Sequence, residues 1–492
     1  MQERGLFEVV LIGGGISGVA SSYYIEQLAA SKNIPVHLTL IETSGRLGGK
    51  IATERLGRVI IEGGPDSFFT QKPFALDLCR EIGLSGELEE ADPATRGTYI
   101  LDDGKPVKLP EGTETGMPSK IRPFMSTELI SFAGKIRAMF DFVAPRKRSA
   151  GDESVGSFIT RRFGKEFLLK IVEPMYAGIY AGDVYQLSAE STIPGLVALE
   201  RNHGSVVRGM RSERGKRAGQ NPEKKTREAP RFVTLKGGMI GIIEGLCSKL
   251  RQTEILLNET ATGIFTQPKG GSGKYLVTTS EGRKLVADSV VLAVPAYAAA
   301  ELIKELNPGL YSLLNGIKYA STATVTLGFP KDETAGKVHG HGVLVPRTEK
   351  EMVTGCTWES SKWPDHSTED ILLVRCYIGW FGHDEFMAYD DTSLVKEAGI
   401  FLENTFGITA SPLLSKVFKW PRALPQYMVG HHELVRSIES ENLLLPGIFL
   451  TGSAYHGVGV PDCIHDAKSA AEALINYLVA DRRQEAEEKP AG

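Results

Sequence analysis

The sequence is poor in cysteine, and its five cysteines form no motif. They stand at positions 79, 247, 356, 376 and 463 of 492 residues, and no pair has the CxxC or CxxH spacing of a zinc or iron–sulfur site. The scatter also excludes the disulfide framework of a small secreted protein. We therefore expect reduced thiols in a cytosolic protein and no metal site.

Long apolar runs are absent as well. No stretch reaches the roughly 18 consecutive apolar residues that a transmembrane helix needs. The short run Val9–Ile12 has neither a basic region before it nor a cleavage site after it, so no signal peptide is expected.

Neither sign of charge dominates. With 56 Lys and Arg against 60 Asp and Glu, the net charge of −4 provides no global attraction to nucleic acid or to an anionic membrane. Peripheral membrane contact stays open. No repeat of roughly 20–50 residues occurs, which excludes solenoids and propellers. A composition of 42% hydrophobic and 24% charged residues is that of a globular protein with two or three domains.

The first forty residues have the pattern of a βαβ unit. The apolar runs Glu8–Ile12 and Val36–Ile41 predict parallel strands, and Ser17–Ala30 predicts the helix between them. Gly13–Gly18 fits the GxGxxG motif, in which the first glycine permits the turn, the second lets a pyrophosphate approach and the third lets the helix pack closely. Glu42, at the end of the second strand, is placed to accept hydrogen bonds from ribose hydroxyls.

Two further glycine pairs favour FAD over a nicotinamide cofactor. The segment Arg46–Lys50 offers a second approach for phosphate, and Glu62–Asp66 lets backbone lie against a flat ring. Near the other end, Thr451-Gly452 follows a strand, Gly447–Leu450, and Gly457–Asp462 opens a helix predicted over Pro461–Leu478. The amides of that helix can face the edge of the flavin where negative charge develops.

Other segments extend this domain or stand apart from it. The apolar run Ser289–Val294 predicts a buried parallel strand, and Phe232–Leu250 predicts strand, glycine turn and helix. Pro118–Val143 predicts one amphipathic helix that packs in the core or touches lipid or an apolar substrate. The basic segment Arg201–Arg231 predicts a mobile surface loop, either a solvated linker or a site for an anionic partner.

Through these motifs the chain closely resembles the protoporphyrinogen and coproporphyrinogen III oxidase family, within the FAD-dependent amine oxidase superfamily. The resemblance extends from about Glu8 to Val479. It is carried by Gly13–Gly18, Glu42-Thr43, Arg46–Lys50, Gly63–Phe68, Gly178–Asp183, Thr234–Gly238, Trp420 with Pro425–Tyr427, and Gly457–Asp462. The GIYAGD and GVGVPDC signatures resemble those of the Gram-positive bacterial type, whose substrate is coproporphyrinogen III.

The resemblance implies an α/β fold: a discontinuous Rossmann-like FAD-binding domain, a mixed-sheet substrate domain and an inserted α-helical domain that faces the membrane in relatives. The expected boundaries are 1–70, 232–296 and 443–480 for the FAD-binding domain; 71–100, 184–231 and 297–442 for the substrate domain; 101–183 for the helical domain; and 481–492 for a tail.

The resemblance also implies the site residues. FAD, held non-covalently, would contact Gly13, Gly14, Gly15, Ile16, Ser17, Gly18, Glu42, Thr43, Arg46, Gly49, Gly63, Gly64, Pro65, Asp66, Trp420, Val458, Gly459 and Val460. Lys72, Ile179 and Tyr377 would line the substrate pocket, with flavin N5 and no side chain performing the chemistry. Thr98 stands where the plant branch has an arginine that binds a propionate, and Arg96, two residues earlier, is the candidate to replace it.

The expected reaction is an O₂-dependent six-electron oxidation of coproporphyrinogen III to coproporphyrin III in haem biosynthesis, with hydrogen peroxide as by-product. Three alternatives stay open: a protoporphyrinogen IX oxidase, a flavin amine oxidase, and a non-catalytic flavoprotein that hands porphyrin to a ferrochelatase. Lys72 could also be an exposed lysine without a role in binding. The paired histidines at 431–432 and His456 are candidate metal ligands, but no third ligand has suitable spacing. The expected location is the cytoplasm, with at most peripheral contact at the inner face of the cell membrane.

Overall fold

The computed structural model describes residues 6–92, 95, 97–114, 116–118, 121–147, 151–220, 232–267, 273–334 and 336–487. The strands in these residues are β1 (Phe7–Ile12), β2 (Val36–Glu42), β3 (Thr53–Leu56), β4 (Val59–Glu62), β5 (Phe68–Phe69), β6 (Leu88–Glu90), β7 (Thr98–Asp102), β8 (Lys105–Lys108), β9 (Thr113–Glu114), β10 (Met117–Pro118), β11 (Phe232–Leu235), β12 (Thr253–Leu257), β13 (Ala261–Thr266), β14 (Tyr275–Thr279), β15 (Lys284–Ala287), β16 (Ser289–Leu292), β17 (Lys318–Pro330), β18 (Gly342–Leu344), β19 (Val353–Trp358), β20 (Ile371–Ile378), β21 (Leu414–Gln426) and β22 (Ile448–Leu450).

The α-helices are α1 (Ile16–Ser31), α2 (Phe74–Glu81), α3 (Ile121–Ser126), α4 (Phe132–Met139), α5 (Val155–Phe163), α6 (Lys165–Phe167), α7 (Glu173–Tyr180), α8 (Ala189–Thr192), α9 (Pro194–His203), α10 (Val206–Gln220), α11 (Ile240–Lys249), α12 (Ala296–Ile303), α13 (Pro308–Asn315), α14 (Lys331–Thr334), α15 (Glu359–Lys362), α16 (Asp391–Phe406), α17 (His431–Asn442) and α18 (Val460–Glu487). One π-helical turn, Leu168–Val172, joins α6 to α7.

A parallel five-stranded sheet unites distant parts of the chain in the order β12-β2-β1-β16-β22. Its central strand β1 pairs in parallel with β2, Val9 facing Leu38, and with β16, Val9 facing Ser289. The predicted strands near residues 8, 36, 289 and 447 are thereby confirmed, as are the helices α1, α11 and α18.

Both faces of this sheet are buried, and successive residues of β1 serve opposite faces. Val9 and Leu11 pack in the cluster that contains α1, α11 and α18. Val10 and Ile12 pack in a second cluster with α12, α13 and α17. Side chains alternate along a strand with a period of two, so a continuously apolar strand fills two cores at once.

The second large sheet has seven strands in the order β21-β17-β20-β19-β18-β7-β8. Its pairs are antiparallel except β18 with β7, which is parallel. The sheet is mixed, as expected, and α16 packs against it in a core of its own. The remaining short sheets join β9 with β10, β3 with β4, β5 with β11 and β6, and β13 with β14 and β15.

The prediction of one helix over Pro118–Val143 is wrong. The described residues form α3, a non-helical stretch, α4 and a 3₁₀ turn at Phe140–Phe142. Ser131 begins α4 by accepting a hydrogen bond from the Gly134 amide, and its own amide and hydroxyl both donate to Glu166 at 2.7 Å. A cap held from a residue 35 positions away interrupts the helix that the apolar periodicity indicates.

The prediction of a loop over Arg201–Arg231 is also wrong for its first part. Helix α9 continues to His203, and α10 occupies Val206–Gln220; residues 221–231 lie outside the described part of the chain. The Ser205 hydroxyl accepts from the Arg208 amide, and Asp141 accepts from the Val207 amide at 2.9 Å. Serine three residues before its partner amide is an N-cap signal, which the sequence contains.

Candidate functional site

The turn between β1 and α1 has open space in front of Gly15, the second glycine of the GxGxxG motif. Gly13 has a φ of +108°, which glycine adopts without strain. A Cβ on Gly18 would overlap the carbonyl oxygen of Gly13, whereas a Cβ on Gly15 would meet nothing within 4 Å. No described side chain caps the first amides of α1, which begins at Ile16 and Ser17. The turn leaves free space before a helix N-terminus, the arrangement that phosphate groups require.

Glu42 lies directly beneath this turn. Its carboxylate accepts hydrogen bonds from the Gly14 amide at 2.7 Å and from the amide and hydroxyl of Ser44 at 2.8 and 2.7 Å. The carboxylate is only partly buried, so lone pairs remain for a further donor. The next residue, Thr43, is exposed, and its hydroxyl accepts a hydrogen bond from the Thr260 hydroxyl at 3.3 Å.

The segment 46–50 folds back onto the glycine turn. The Gly48 amide donates to the Gly14 carbonyl at 2.8 Å, and Gly49, at a φ of +57°, lies against Gly15. The guanidinium of Arg46 donates to the carbonyls of Leu47, Gly49 and Ile51. The Arg46 side chain therefore stabilises the loop by binding the backbone carbonyls of the loop.

Lys50 is a residue that sequence reasoning did not select. Burial lowers the pKa of its ammonium, and no carboxylate of the described residues forms an ion pair with it. The Cys463 thiol, from the first turn of α18, is near enough to influence the pKa of this ammonium. A partly buried cation that has no carboxylate partner among the described residues, between two glycine loops, fits an anionic or strongly dipolar ligand.

The glycine pair 63–64 continues this surface. A Cβ on Gly64 would overlap the Lys50 carbonyl oxygen, so the two glycine segments touch through backbone. The Gly63 carbonyl accepts from the Trp420 indole at 2.8 Å and from the Thr324 hydroxyl at 3.0 Å. Trp420 therefore supports the segment from the strand β21. Segments 13–18, 46–50 and 63–66 form one continuous cradle.

Asp66, at the end of this cradle, is bound by Lys362 and Trp363, at and just after the end of α15. Its carboxylate accepts from Lys362 at 2.5 Å and from the Trp363 indole at 3.2 Å. Burial alone would raise the pKa of Asp66, but the Lys362 and Arg375 charges lower it below its usual range. The Asp66 carboxylate is thus ionised and paired with Lys362.

Arg375 ties the large sheet to the cradle. Its guanidinium donates to the carbonyls of Glu62 and Gly64 at 3.0 and 2.9 Å and to the Tyr377 hydroxyl at 2.8 Å, and it forms an ion pair with Glu359 at 2.9 Å. Burial raises the pKa of Glu62 and of Glu359 to about 7. Burial also raises the pKa of Tyr377, so its phenol is neutral. Its hydroxyl bonds Thr357 as well, at 2.9 Å.

Lys72 and Ile179 lie at the exposed rim. The Lys72 ammonium bonds both carboxylate oxygens of Asp462, at 2.6 and 2.8 Å. The Ile179 side chain, near the end of α7, is 49% exposed. Arg96, the candidate for a second propionate contact, lies outside the described residues. The structure brings Lys72 to the start of α18, a pairing that the sequence did not reveal.

The C-terminal segment ends the cradle. Thr451 and Gly452 donate to Asp466 at 2.9 and 2.8 Å, and the Gly459 amide donates to Asp462 at 3.3 Å. Helix α18 begins at Val460, directly after Val458 and Gly459, with Pro461 in its first turn as predicted.

The remaining polar candidates are held in structural contacts. Asp183 accepts from the Tyr185 amide and the Gln186 side chain, both at 2.9 Å, and so holds the GIYAGD turn. His431 is buried against the Tyr427 ring, and burial lowers its pKa to about 4. His456 bonds Asp466 at 2.7 Å, which raises its pKa. Among the described residues, no three His, Cys, Asp or Glu side chains are placed to hold a metal ion.

The flavin containing amine oxidoreductase family matches residues 16–475 of the chain. The chain is similar to the coproporphyrinogen III oxidase of Bacillus subtilis, with 36% identity over 96% of this chain and 99% of the relative. It is similar to the Staphylococcus aureus enzyme of the same name, with 32% identity over 96% and 99%.

A solved structure shows the same architecture. The crystal structure of a protein from Exiguobacterium sp. 255-15, described as a protoporphyrinogen oxidase, has a TM-score of 0.83 and 31% identity, over 96% of this chain and 99% of the other. The α/β fold with its Rossmann-like sheet is therefore shared along nearly the whole chain.

Proposed function

Because this chain belongs to the flavin containing amine oxidoreductase family, and within it to the coproporphyrinogen III oxidases, we propose that it oxidises coproporphyrinogen III to coproporphyrin III with FAD and O₂. Sequence identities of 36% and 32% over nearly the full length of enzymes of that name support the reaction. The continuous cradle of segments 13–18, 46–50 and 63–66 supports the cofactor.

The residues of the cradle fit FAD. Gly15 has open space before the N-terminus of α1 for a pyrophosphate, and Glu42 is placed for a ribose. Lys50 and the first amides of α18 would hold the electron-rich edge of the ring, with Val458, Gly459 and Val460 nearest. Cys463 is the cysteine beside this site, and burial raises its pKa to about 12, which favours a non-covalent cofactor.

The flavin, when bound, would accept hydrogen from the porphyrinogen and pass it to O₂, which is reduced to hydrogen peroxide. A porphyrinogen loses three pairs of hydrogens, so three turnovers complete the reaction. The chain needs no strong acid or base for this. Its contribution is to orient a meso carbon, and orientation can contribute several kcal/mol to the rate, up to about 7–11.

The rim residues would orient the macrocycle. Lys72 would hold a propionate through charge, and the exposed side chain of Ile179 would contact an apolar face. Tyr377, fixed by Arg375 and Thr357, would form the opposite wall. Arg96 is proposed as a further propionate contact because it lies two residues before Thr98, the position of the propionate-binding arginine in the plant branch.

The test is side-by-side turnover of coproporphyrinogen III and protoporphyrinogen IX by the holoenzyme, followed by porphyrin fluorescence. We expect coproporphyrin III to form faster. Faster turnover of protoporphyrinogen IX would identify the alternative oxidase, and turnover of polyamines or monoamines would identify an amine oxidase. A yellow protein that no porphyrinogen reduces would be a porphyrin-handling flavoprotein.

The inserted helices support peripheral membrane contact. Phe132, Phe140 and Val143 are 72%, 53% and 75% exposed on one segment of the chain. No helix in the described residues is long and apolar enough to cross a bilayer. We propose a cytoplasmic enzyme that rests on the inner face of the cell membrane and passes its product to a ferrochelatase. We also propose the three-domain division that the family resemblance implies.

A further inference from the structure

The cation that would bind a substrate propionate already has a carboxylate partner in the protein. The Lys72 ammonium lies 2.6 and 2.8 Å from the two carboxylate oxygens of Asp462, 390 positions away. Lys72 is 52% exposed, whereas Asp462 is 15% exposed. The lysine, on its flexible stem, is therefore the partner that can move.

Asp462 is held in place without Lys72. The Gly459 amide donates to its carboxylate at 3.3 Å, and a Cβ on Gly457 would overlap that carboxylate. Within the described residues, Lys72 is the only cation that forms an ion pair with it. The carboxylate is thus a fixed anion at the first turn of α18.

The pair lies beside a further contact between the segment after Lys72 and α18. Two residues beyond Lys72, the Phe74 ring stacks on His465 at 4.0 Å, so this loop lies along the first turns of α18. Burial raises the pKa of Tyr180, and the charge of Asp462 raises it further. Tyr180 follows Ile179 directly, which places the fixed carboxylate within electrostatic reach of a second pocket segment.

We propose that Asp462 is a positioning residue that sets the affinity for carboxylated substrates: it holds Lys72 before substrate binds and yields it to a substrate carboxylate. The inference rests on the proposed function. A porphyrinogen with a propionate at this edge replaces one ion pair by another. A ligand without a carboxylate leaves the Lys72–Asp462 pair intact and gains nothing from Lys72. Asp462 therefore competes with a substrate carboxylate for Lys72 and limits the preference for carboxylated substrates.

The experiment compares wild-type holoenzyme with Asp462→Asn, Lys72→Met and the double variant, at equal flavin occupancy. Asp462→Asn frees Lys72, so we expect KM for coproporphyrinogen III to fall about threefold to fivefold, the range of a partly solvated ion pair. KM for the tetramethyl ester should not change. In the Lys72→Met background the second substitution should have no effect on either substrate.

A matched control and a binding measurement complete the design. Asp77→Asn removes the exposed pair with Arg80 on α2 and should leave both KM values unchanged. Dissociation constants of coproporphyrin III, from fluorescence quenching on the oxidised holoenzyme, should shift as KM does. If Asp462→Asn loses flavin, Asp462→Ser keeps an acceptor for the Gly459 amide while removing the charge.

An unchanged or higher KM in Asp462→Asn, or the same change without Lys72, would overturn the inference. A higher KM would mean that Asp462 and the propionate hold Lys72 together. Failure of the wild-type enzyme to oxidise coproporphyrinogen III would overturn the proposed function instead, and product binding would still test the role of Asp462.

Discussion

The guanidinium of Arg375 donates a hydrogen bond of 2.9 Å to the carbonyl oxygen of Gly64, 311 positions earlier in the chain. The same group bonds the Glu62 carbonyl and the Tyr377 hydroxyl. One fully buried side chain thereby sets the position of a cradle segment and of a proposed substrate wall. A rigid connection of this kind preorganises two sides of a site together.

Arg375→Met should lower the free energy of unfolding by about 3–5 kcal/mol, since it leaves buried carboxylates without their cation. Arg375→Lys should recover only part of this, because an ammonium cannot reproduce the planar fork that reaches two carbonyls and a phenol. Urea unfolding of both holoproteins checks the order. A Met variant as stable as wild type would show that the cluster is not energetically important.

Glu359 makes stability depend on pH. Burial raises its pKa from 4.5 to about 7, so the folded state binds its proton more tightly than the unfolded state does. The contribution of Glu359 to the free energy of unfolding is complete below pH 4.5 and is lost as pH rises through about 7. Glu359→Gln mimics the protonated acid and should reduce the decline in unfolding free energy from pH 5 to pH 8 by about 2–3 kcal/mol.

Unfolding at several pH values tests the Glu359 prediction. The exposed carboxylate Glu433, paired with Arg436 on α17, provides the control as Glu433→Gln. Parallel pH profiles for wild type and Glu359→Gln would contradict the assignment.

Glu42→Ala should weaken FAD binding more than it changes turnover. The proposed ribose contacts are charge-assisted hydrogen bonds of roughly 1.5–3 kcal/mol each at most. The variant also loses the bond to the Gly14 amide, which loosens the turn. Flavin titration by fluorescence gives the affinity, and saturating FAD should restore most activity. Low turnover at full occupancy would argue against the ribose assignment.

Acid precipitation should release the flavin into the supernatant, because the cysteine beside the site, Cys463, is a buried neutral thiol. Absorbance of supernatant and pellet measures the distribution. Yellow colour that remains in the pellet would indicate a covalent bond.

Phe132→Ser combined with Val143→Ser should weaken sedimentation with vesicles of phosphatidylcholine and phosphatidylglycerol. Each side chain can contribute roughly 1.5–3 kcal/mol when fully buried in lipid, so a loss of about tenfold or more is expected. Leu443→Ser is the control, since Leu443 is 81% exposed at the end of α17. Equal binding of all variants would remove the helical segment from membrane contact.

The predicted strands and the glycine turn were confirmed because local physics determines them. Apolar strands such as β1 and β16 and the glycine turn at 13–18 are encoded by residues that are neighbours in the sequence. Where distant contacts decide, prediction was wrong: Glu166 fixes the cap at Ser131 that separates α3 from α4, and Asp141 helps to begin α10.

The sequence by itself therefore determined the parallel strands and the glycine segments, and the family resemblance supplied the proposed cofactor contacts. Only the tertiary structure decided which charges pair: Lys72 with Asp462, Asp66 with Lys362 and Arg375 with Glu359. Many acidic and basic residues are equivalent along a chain, and an ion pair forms only between those that strand register and helix docking bring within a few ångströms. That selection depends on the packing of whole elements, which no local pattern contains.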